Sequence, residues 1–538
     1  MRLPIIPFLV AAILLAGAAF LFNRSVHPDM RVLDISKISR LADIEGVETE
    51  VAISPDGSAC AVIADGDLWT MPMAGGPPAR LTQTPEAESF PAWAPDGKRL
   101  TFTRGTDTFL IQPGGPAAAQ PFKKDATSLS WSPSGRQVYV RNRGLWMTDA
   151  GGINDKQVVA PEENPNITLR TPRFSPTSLD VAYIKTMLGF SGQVWTLDAS
   201  NGNPRALIAD RPNEMPLDVG WILGGRELVY LTNRSGAYSL WHVNFKDNTL
   251  LPLTAPLMLT PLASLGISVW NDRIVLPRHV MNSRIVLSDG KAVTPRDGGD
   301  TVEGDPSVSP DGKLVAYTVM RENKAEIWTV NIDGSHAAYR TVGHDPRFTP
   351  DGFQVLYTHA NLDGNDDVWR FDMRDGSTER ITDADELDMT ADASPDGQSV
   401  VFTSTRGVAP SIWVVAASGG KRLRLNDGGF GPRFSPDSRS ILYWNRGEFW
   451  TMDANGSNAK AAGLAPAAIP SLGEWHQSMP IQMAGNELRG SGGAVLFKSD
   501  RPLWPHFDVM PDGRFLIAPI DIRDTGLWAI DLQFKIQQ

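Results

Sequence analysis

One cysteine, Cys60, stands among 538 residues, which excludes an intramolecular disulfide framework and a cysteine-based zinc site. Histidine is also sparse. The eight residues are scattered and none forms a His-Glu-x-x-His pair, so zinc proteolysis has no support. Basic charge is outnumbered, with 50 Lys+Arg against 61 Asp+Glu and a formal net charge of −11. A surface built to neutralise phosphates would carry the opposite balance, and no nucleic-acid partner is expected. The chain has no Gly-rich phosphate loop followed by a His-Arg-Asp catalytic loop. The nucleophile elbow Gly-x-Ser-x-Gly is missing too. Gly189-Phe190-Ser191-Gly192-Gln193 fails at the last position, and Arg489-Gly490-Ser491-Gly492-Gly493 fails at the first. Asp363-Gly364-Asn365-Asp366-Asp367 has oxygens at alternate positions, as a calcium loop does. Val368 takes the place of the turn glycine and no Glu follows at the twelfth position, so it reads as a polar hairpin loop. The expectation is therefore no catalytic residues, no metal and no cofactor.

One long uncharged run is present, Leu3–Phe22, between Met1-Arg2 and Asn23-Arg24. About 20 residues suffice to cross a bilayer core, and Ala16-Gly17-Ala18 offers a small-residue cleavage site. Residues 1–24 are expected to be a signal peptide or an N-terminal membrane anchor. The rest is then periplasmic or extracytoplasmic, secreted or tethered through Leu3–Phe22.

Glycine (49), proline (41) and tryptophan (16, against 8 Tyr) are what the chain has in quantity, and they recur in order. A turn appears at Ser54-Pro55-Asp56-Gly57, Ala94-Pro95-Asp96-Gly97 and Ser132-Pro133-Ser134-Gly135, and again at Ser175-Pro176. It returns at Ser309-Pro310-Asp311-Gly312, Thr349-Pro350-Asp351-Gly352, Ser394-Pro395-Asp396-Gly397, Ser435-Pro436-Asp437-Ser438 and Met510-Pro511-Asp512-Gly513. Trp221-Ile222-Leu223-Gly224-Gly225 is a worn copy. Proline presets φ at the second position of a type I turn and glycine closes it. If each of two long gaps hides one further copy, there are 12 units spaced about 41 residues apart. Nine tryptophans follow a hydrophobic residue at one repeat position, as in Leu68-Trp69, Ile327-Trp328 and Leu527-Trp528, which makes them architectural.

A period of 40–50 residues with about four strands per unit is that of a β-propeller, and rings have four to eight blades. The fold expected is all-β: tandem propellers of 12 four-stranded blades, as two six-bladed rings. The boundary is placed in the Pro/Gly cluster near Thr294–Thr301, giving a first propeller over 32–297 and a second over 298–538. A spare strand-like stretch, Val32–Ala42, is expected to fill a last blade and protect its edge.

The succession Ser-Pro-Asp-Gly, hydrophobic strand, hydrophobic-Trp and a second turn such as Asn331-Ile332-Asp333-Gly334-Ser335 or Asp453-Ala454-Asn455-Gly456-Ser457 resembles the WD40-like (PD40) repeats of TolB-type propellers. The C-terminal stretch from Gly493 to Leu516 is similar to the last blades of propellers fused to bacterial Ser/Thr kinases. The resemblance implies a propeller of the cell envelope and specifies function only weakly. It departs from the TolB pattern in blade number and in having only about 30 residues between the apolar run and the first turn, where an α/β domain is expected.

In a propeller the innermost strands begin at the channel mouth. The residues before each turn therefore supply candidates: Glu86 and Glu88, Glu303 and Asp305, His344 and Asp345, Asp388 and Asp392. Arg173, Arg347 and Arg433 share a Pro-Arg-Phe position. There Phe would pack between blades and Arg would face the channel or a neighbouring carboxylate. Taken singly, each reads as a strand-end cap or a structural ion pair. Taken together they mark a rim suited to a protein or peptide partner in the envelope, because loops on rigid scaffolds carry function. A ligand-sensing ectodomain is the alternative, and a propeller hydrolase or lyase a more distant one.

Overall fold

The computed structural model describes residues 31–536 except 43, 45, 116–117, 150, 165–166, 188–190, 199–201, 209–213, 234–237, 245–248, 254–265, 296–300, 322–323, 361–365, 384–386, 406–409, 446, 465–472, 477–478 and 485. The calcium-like Asp363–Asn365 and the apolar Leu3–Phe22 lie outside these residues. Among the described residues no helix is long and apolar enough to cross a membrane.

Each repeat folds as an antiparallel sheet, and the turn chemistry shows why. In Ser54-Pro55-Asp56-Gly57 the Ser54 hydroxyl donates to Asp56 Oδ1 at 2.6 Å and accepts from the Ala59 amide at 2.9 Å. Gly57 closes the turn at φ +73° with its amide on the Ser54 carbonyl. The Ser309, Ser394 and Ser435 turns repeat the hydroxyl–aspartate bond at 2.6–2.7 Å. Repetition of one local solution fixes where each innermost strand ends and the next begins.

Six sheets pack side by side into a first ring. Their innermost strands are Glu48–Ile53, Glu88–Trp93, Thr127–Trp131, Ile167–Phe174, Pro216–Ile222 and Ser268–Trp270, the last packing back against the first. A second ring closes in the same way through Val302–Val308, His344–Phe348, Asp388–Ala393, Phe430–Phe434, Gly473–His476 and Asp508–Val509. The fold is thus all-β, with two six-bladed propellers. The two long gaps between turns hold the sheets that begin at Ser268 and Gly473, whose turns have lost the Pro-Asp-Gly chemistry.

The core lies between neighbouring sheets. Ile63 and Leu68 of the first sheet meet Leu100, Phe102 and Ile111 of the second. In the hydrophobic-Trp pairs the first residue is the buried one. Ile327 is 1% exposed, and Leu68, Leu145, Val194, Leu240, Val368, Ile412, Phe449 and Leu527 are likewise buried. All nine tryptophans are half-buried on the blade faces. A second set of tryptophans, at the ends of innermost strands, stitches blades together. Trp93 Nε1 donates to the Ala52 carbonyl, Trp221 to Arg173 and Trp475 to Arg433.

The strand pairing does not follow a division at residues 297 and 298. Arg273–Ser283 pairs with Ile520–Ile536, which pairs in turn with Arg31–Ala42. The last sheet of the first ring therefore combines both ends of the chain with its middle. In the second ring, Val286–Leu287 pairs with Phe515–Ile517, which pairs with Asp508–Val509. The second ring is inserted between two strands of the first. The physical reason is edge protection, since joining distant segments in the closing sheet leaves neither ring with an open seam.

Candidate functional site

Innermost strands of both rings share an irregularity. The register slips between Ser89 and Ala92, Thr127 and Ser130, Arg170 and Arg173, Gly304 and Ser307, His344 and Arg347, Met389 and Asp392, and Phe430 and Arg433. At these bulges Phe90, Ser128, Thr171, Asp305, Asp345 and Thr390 take positive φ of 44–55°, and Gly431 takes φ +62°. Bulges re-aim side chains, and left-handed backbone at residues other than glycine is held only where surrounding structure enforces it. In the second ring Asp305 and Asp345 stand at these bulges, and Arg347, Asp392 and Arg433 follow bulge residues by two positions.

In the second ring every innermost strand delivers a charged side chain to the ring axis. Arg347 lies 3.2 Å from Glu474, 3.5 Å from Asp392 and 3.5 Å from Asp508. Arg433 Nε donates to Glu474 at 2.9 Å, and its Nη2 lies 3.9 Å from Asp345. His506 Nδ1 is 2.5 Å from Asp305 and 3.8 Å from Asp345. Trp504 Nε1 donates to Asp305 at 2.9 Å, its ring lying over Gly304, where a Cβ would clash. Two further carboxylates are braced by backbone. Asp392 accepts the Phe434 amide, and Asp508 those of Val308 and Val509.

Five carboxylates thus face two guanidinium groups and one imidazole. Burial raises Asp508 to about 6 despite Arg347, and Glu474 adds to the rise. Asp392 is raised as well, burial outweighing Arg347 and Arg433. Burial opposes ionisation of Asp305, but His506 and the hydrogen bonds from His506, Trp504 and Thr318 hold it well below the usual range. Burial also works against the His506 charge, and Asp305 and Asp345 overcome it, so His506 is raised. Arg347 is held more firmly protonated by Glu474, Asp508, Asp392 and Asp345, against its burial.

The structure brings Asp305, Asp345, Arg347, Asp392 and Arg433 into one network and assigns other partners to the remaining candidates. Glu88 pairs with Arg104 at 2.6 Å and accepts the Leu68 amide and the Thr82 hydroxyl. Asp388 pairs with Arg422 at 3.1 Å and is raised to about 6 by burial. Glu303 accepts the Thr294 hydroxyl. These three acids open innermost strands and hold the adjoining sheet, as strand-end caps do. His344 lies 3.6 Å from Asp366, with its side chain 40% exposed. Burial opposes its charge, but Asp366, with Asp345 and Asp305, raises it to about 9. Arg173 belongs to the first ring, where it donates to Asp218 at 2.8 Å. Near it, burial raises Glu50 to about 7 against the Phe90 amide bond, and Asp218 adds to the rise.

Glu474, His506, Asp508, Glu50 and Asp218 were missed by the sequence reading. Glu474 had a signal, because it precedes Trp475 as Arg347 precedes Phe348 and Arg433 precedes Phe434. Asp508 stands two residues before its turn, and His506 comes from a loop rather than a strand.

Two rings of repeated antiparallel sheets, four-stranded except for the three-stranded one that closes the second ring among the described residues, define a β-propeller repeat protein. Residues 279–465 match the family model described as PD40, the TolB beta propeller domain. That match covers part of the second ring and the strand leading into it, so this stretch is similar to a TolB propeller. The "Uncharacterized protein Atu1656" of Agrobacterium fabrum (strain C58 / ATCC 33970) is 31% identical over 153 residues, 25% of this chain and 52% of that protein. The "Uncharacterized peptidase YuxL" of Bacillus subtilis (strain 168) is 29% identical over 107 residues, 18% of this chain and 16% of that protein. The chain therefore spans about half the length of the first relative and far less of the second. Similar solved structures include a putative TolB from Agrobacterium tumefaciens, with TM-score 0.28 and 18% identity over 62% of this chain and 98% of that one. The tricorn protease has TM-score 0.34 and 14% identity over 78% of this chain and 45% of that one.

Proposed function

We propose that the protein is a non-catalytic scaffold of the bacterial cell envelope that binds a protein or peptide partner at the channel of its second ring. In this reading Leu3–Phe22 directs the chain out of the cytoplasm or tethers it there. One observation carries the proposal: all six innermost strands of the second ring contribute charged side chains to a single network around the ring axis. Structural ion pairs between neighbouring blades would need only adjacent partners. Here Arg347 reaches across the ring to Glu474, three blades away, where Arg433 of the neighbouring blade also pairs with it. Such convergence on a rigid frame is what recognition requires.

Affinity capture after crosslinking in native envelopes, with the full chain as bait, tests this reading. The expected result is one stoichiometric envelope protein that is depleted when His344→Ala and Asp345→Asn are combined. Recovery of nothing specific, or equal recovery with the substituted chain, would remove the proposal.

A further inference from the structure

Within the network Asp345 holds a carboxylate oxygen without a donor. It is 5% exposed, yet its Oδ2 accepts no hydrogen bond and is shut off from solvent. Its Oδ1 has only the distant contacts with His506 at 3.8 Å and Arg433 at 3.9 Å. A buried acceptor without a donor keeps the full cost of its desolvation, more so when charged, and native structures rarely leave one so. The backbone is also held at φ +55° to place this side chain on the axis.

Charge points the same way. Asp305, Asp345, Asp392, Glu474 and Asp508 outnumber Arg347, Arg433 and His506 by five to three. Among the described residues no three acids or histidines are grouped as a metal would need, because the guanidinium groups separate them. His506 and Arg347, beside Asp345, retain 23% and 13% of their side-chain surfaces exposed, so the network borders solvent and a ligand donor reaches Asp345 Oδ2 by displacing these side chains.

We propose, resting on the partner-binding reading above, that the second ring's channel takes a cationic side chain, lysine or arginine, of a peptide, with Asp345 Oδ2 as its acceptor. An ammonium or guanidinium donor supplies the missing hydrogen bond and lowers the channel's net negative charge. Binding then competes with protons. Asp508 and Asp392 are the channel acids held up by burial, with His344, His506, Arg347, Arg433, Glu474, Asp305 and Asp345 facing them or one another. Affinity should therefore fall as pH drops from 7.5 to 5.

The test is calorimetric titration of the full chain with trilysine at about 0.15 M salt, with triglutamate as the charge control. Trilysine is expected to bind and triglutamate not to. Asp345→Asn and, separately, Asp508→Asn should each weaken trilysine binding at least tenfold. Asp427→Asn, at an exposed acid, should leave it unchanged. Circular dichroism and melting confirm that each variant is folded. Equal binding by both channel variants, or loss of binding with Asp427→Asn, would overturn the proposal. Spermidine binding as tightly as trilysine would overturn the peptide assignment in favour of a free polyamine. Capture of an envelope partner that Asp345→Asn does not release, with no trilysine binding, would refute the cation while leaving the scaffold reading intact.

Discussion

At the residue scale, burial separates the members of each hydrophobic-Trp pair. Ile327 is sealed between blades, whereas Trp328 lies half-buried on a face, its Nε1 on Glu326, with Tyr339 edge-on at 6.2 Å and Arg321 over the ring at 5.2 Å. Ile327→Ala is expected to destabilise by about 2–5 kcal/mol through its cavity. Trp328→Ala should cost less, about 1–2 kcal/mol, from lost ring contacts. Urea titrations of both variants decide the order. Glu50 gives a pH prediction. Its folded-state pKa, about 7, lies above that of an unfolded glutamate, so the folded state binds the extra proton between roughly pH 4.5 and 7. The raised pKa makes stability fall as pH rises through that window. Glu50→Gln, which keeps an acceptor for the Phe90 amide, should flatten this part of the profile. A melting temperature measured from pH 5 to 8 that falls equally in both proteins would refute the assignment.

At the element scale, the bulge of the innermost strands is the part that matters. Ser128 and Gly431 occupy equivalent bulges with φ +52° and +62°. Left-handed backbone costs a residue with a Cβ about 1–2 kcal/mol, and glycine little. Gly431→Ala should therefore destabilise by about 1–2 kcal/mol. Ser128→Gly should be neutral or stabilising by up to about 1 kcal/mol, since the Ser128 contact that holds the strand is its amide on Thr103. If chemical denaturation shows Ser128→Gly costing as much as Gly431→Ala, strain at the bulge is not what these positions share. The same bulge explains the partial legibility of the site. Pro-Arg-Phe marks Arg347 and Arg433 because their strands repeat one sequence; Asp392 and Asp508 stand at the same distance before their turns without that motif, and Glu474 precedes no such turn at all.

For the whole molecule, insertion makes the two rings unequal. The second ring draws on one continuous stretch, from Val286 to Ile517, while the first needs Arg31–Ala42, the strands from Glu48 to Ser283 and Ile520–Ile536. Ending the chain after Pro519 would strip the pairing partner from Arg273–Ser283 and bury nothing in place of Leu527, Ala529 and Ile530. Limited proteolysis of that truncation should cut first within residues 48–283 and spare 286–517. Uniform resistance across both stretches would show that the first ring closes without its C-terminal strand.

Repeat number, blade architecture and the all-β class were determined by the sequence itself, because each turn is a local chemical solution that the chain writes out again every 40 or so residues. Asp305, Asp345, Arg347, Asp392 and Arg433 were legible as candidates for the same reason, standing at fixed distances from those turns. Only the tertiary structure decided that Glu88, Glu303 and Asp388 cap strands while those five join Glu474, His506 and Asp508 around one axis. It also decided which strands close each ring. Both outcomes depend on contacts between residues far apart in the chain, 127 positions for Arg347 and Glu474, and no local pattern encodes such a distance.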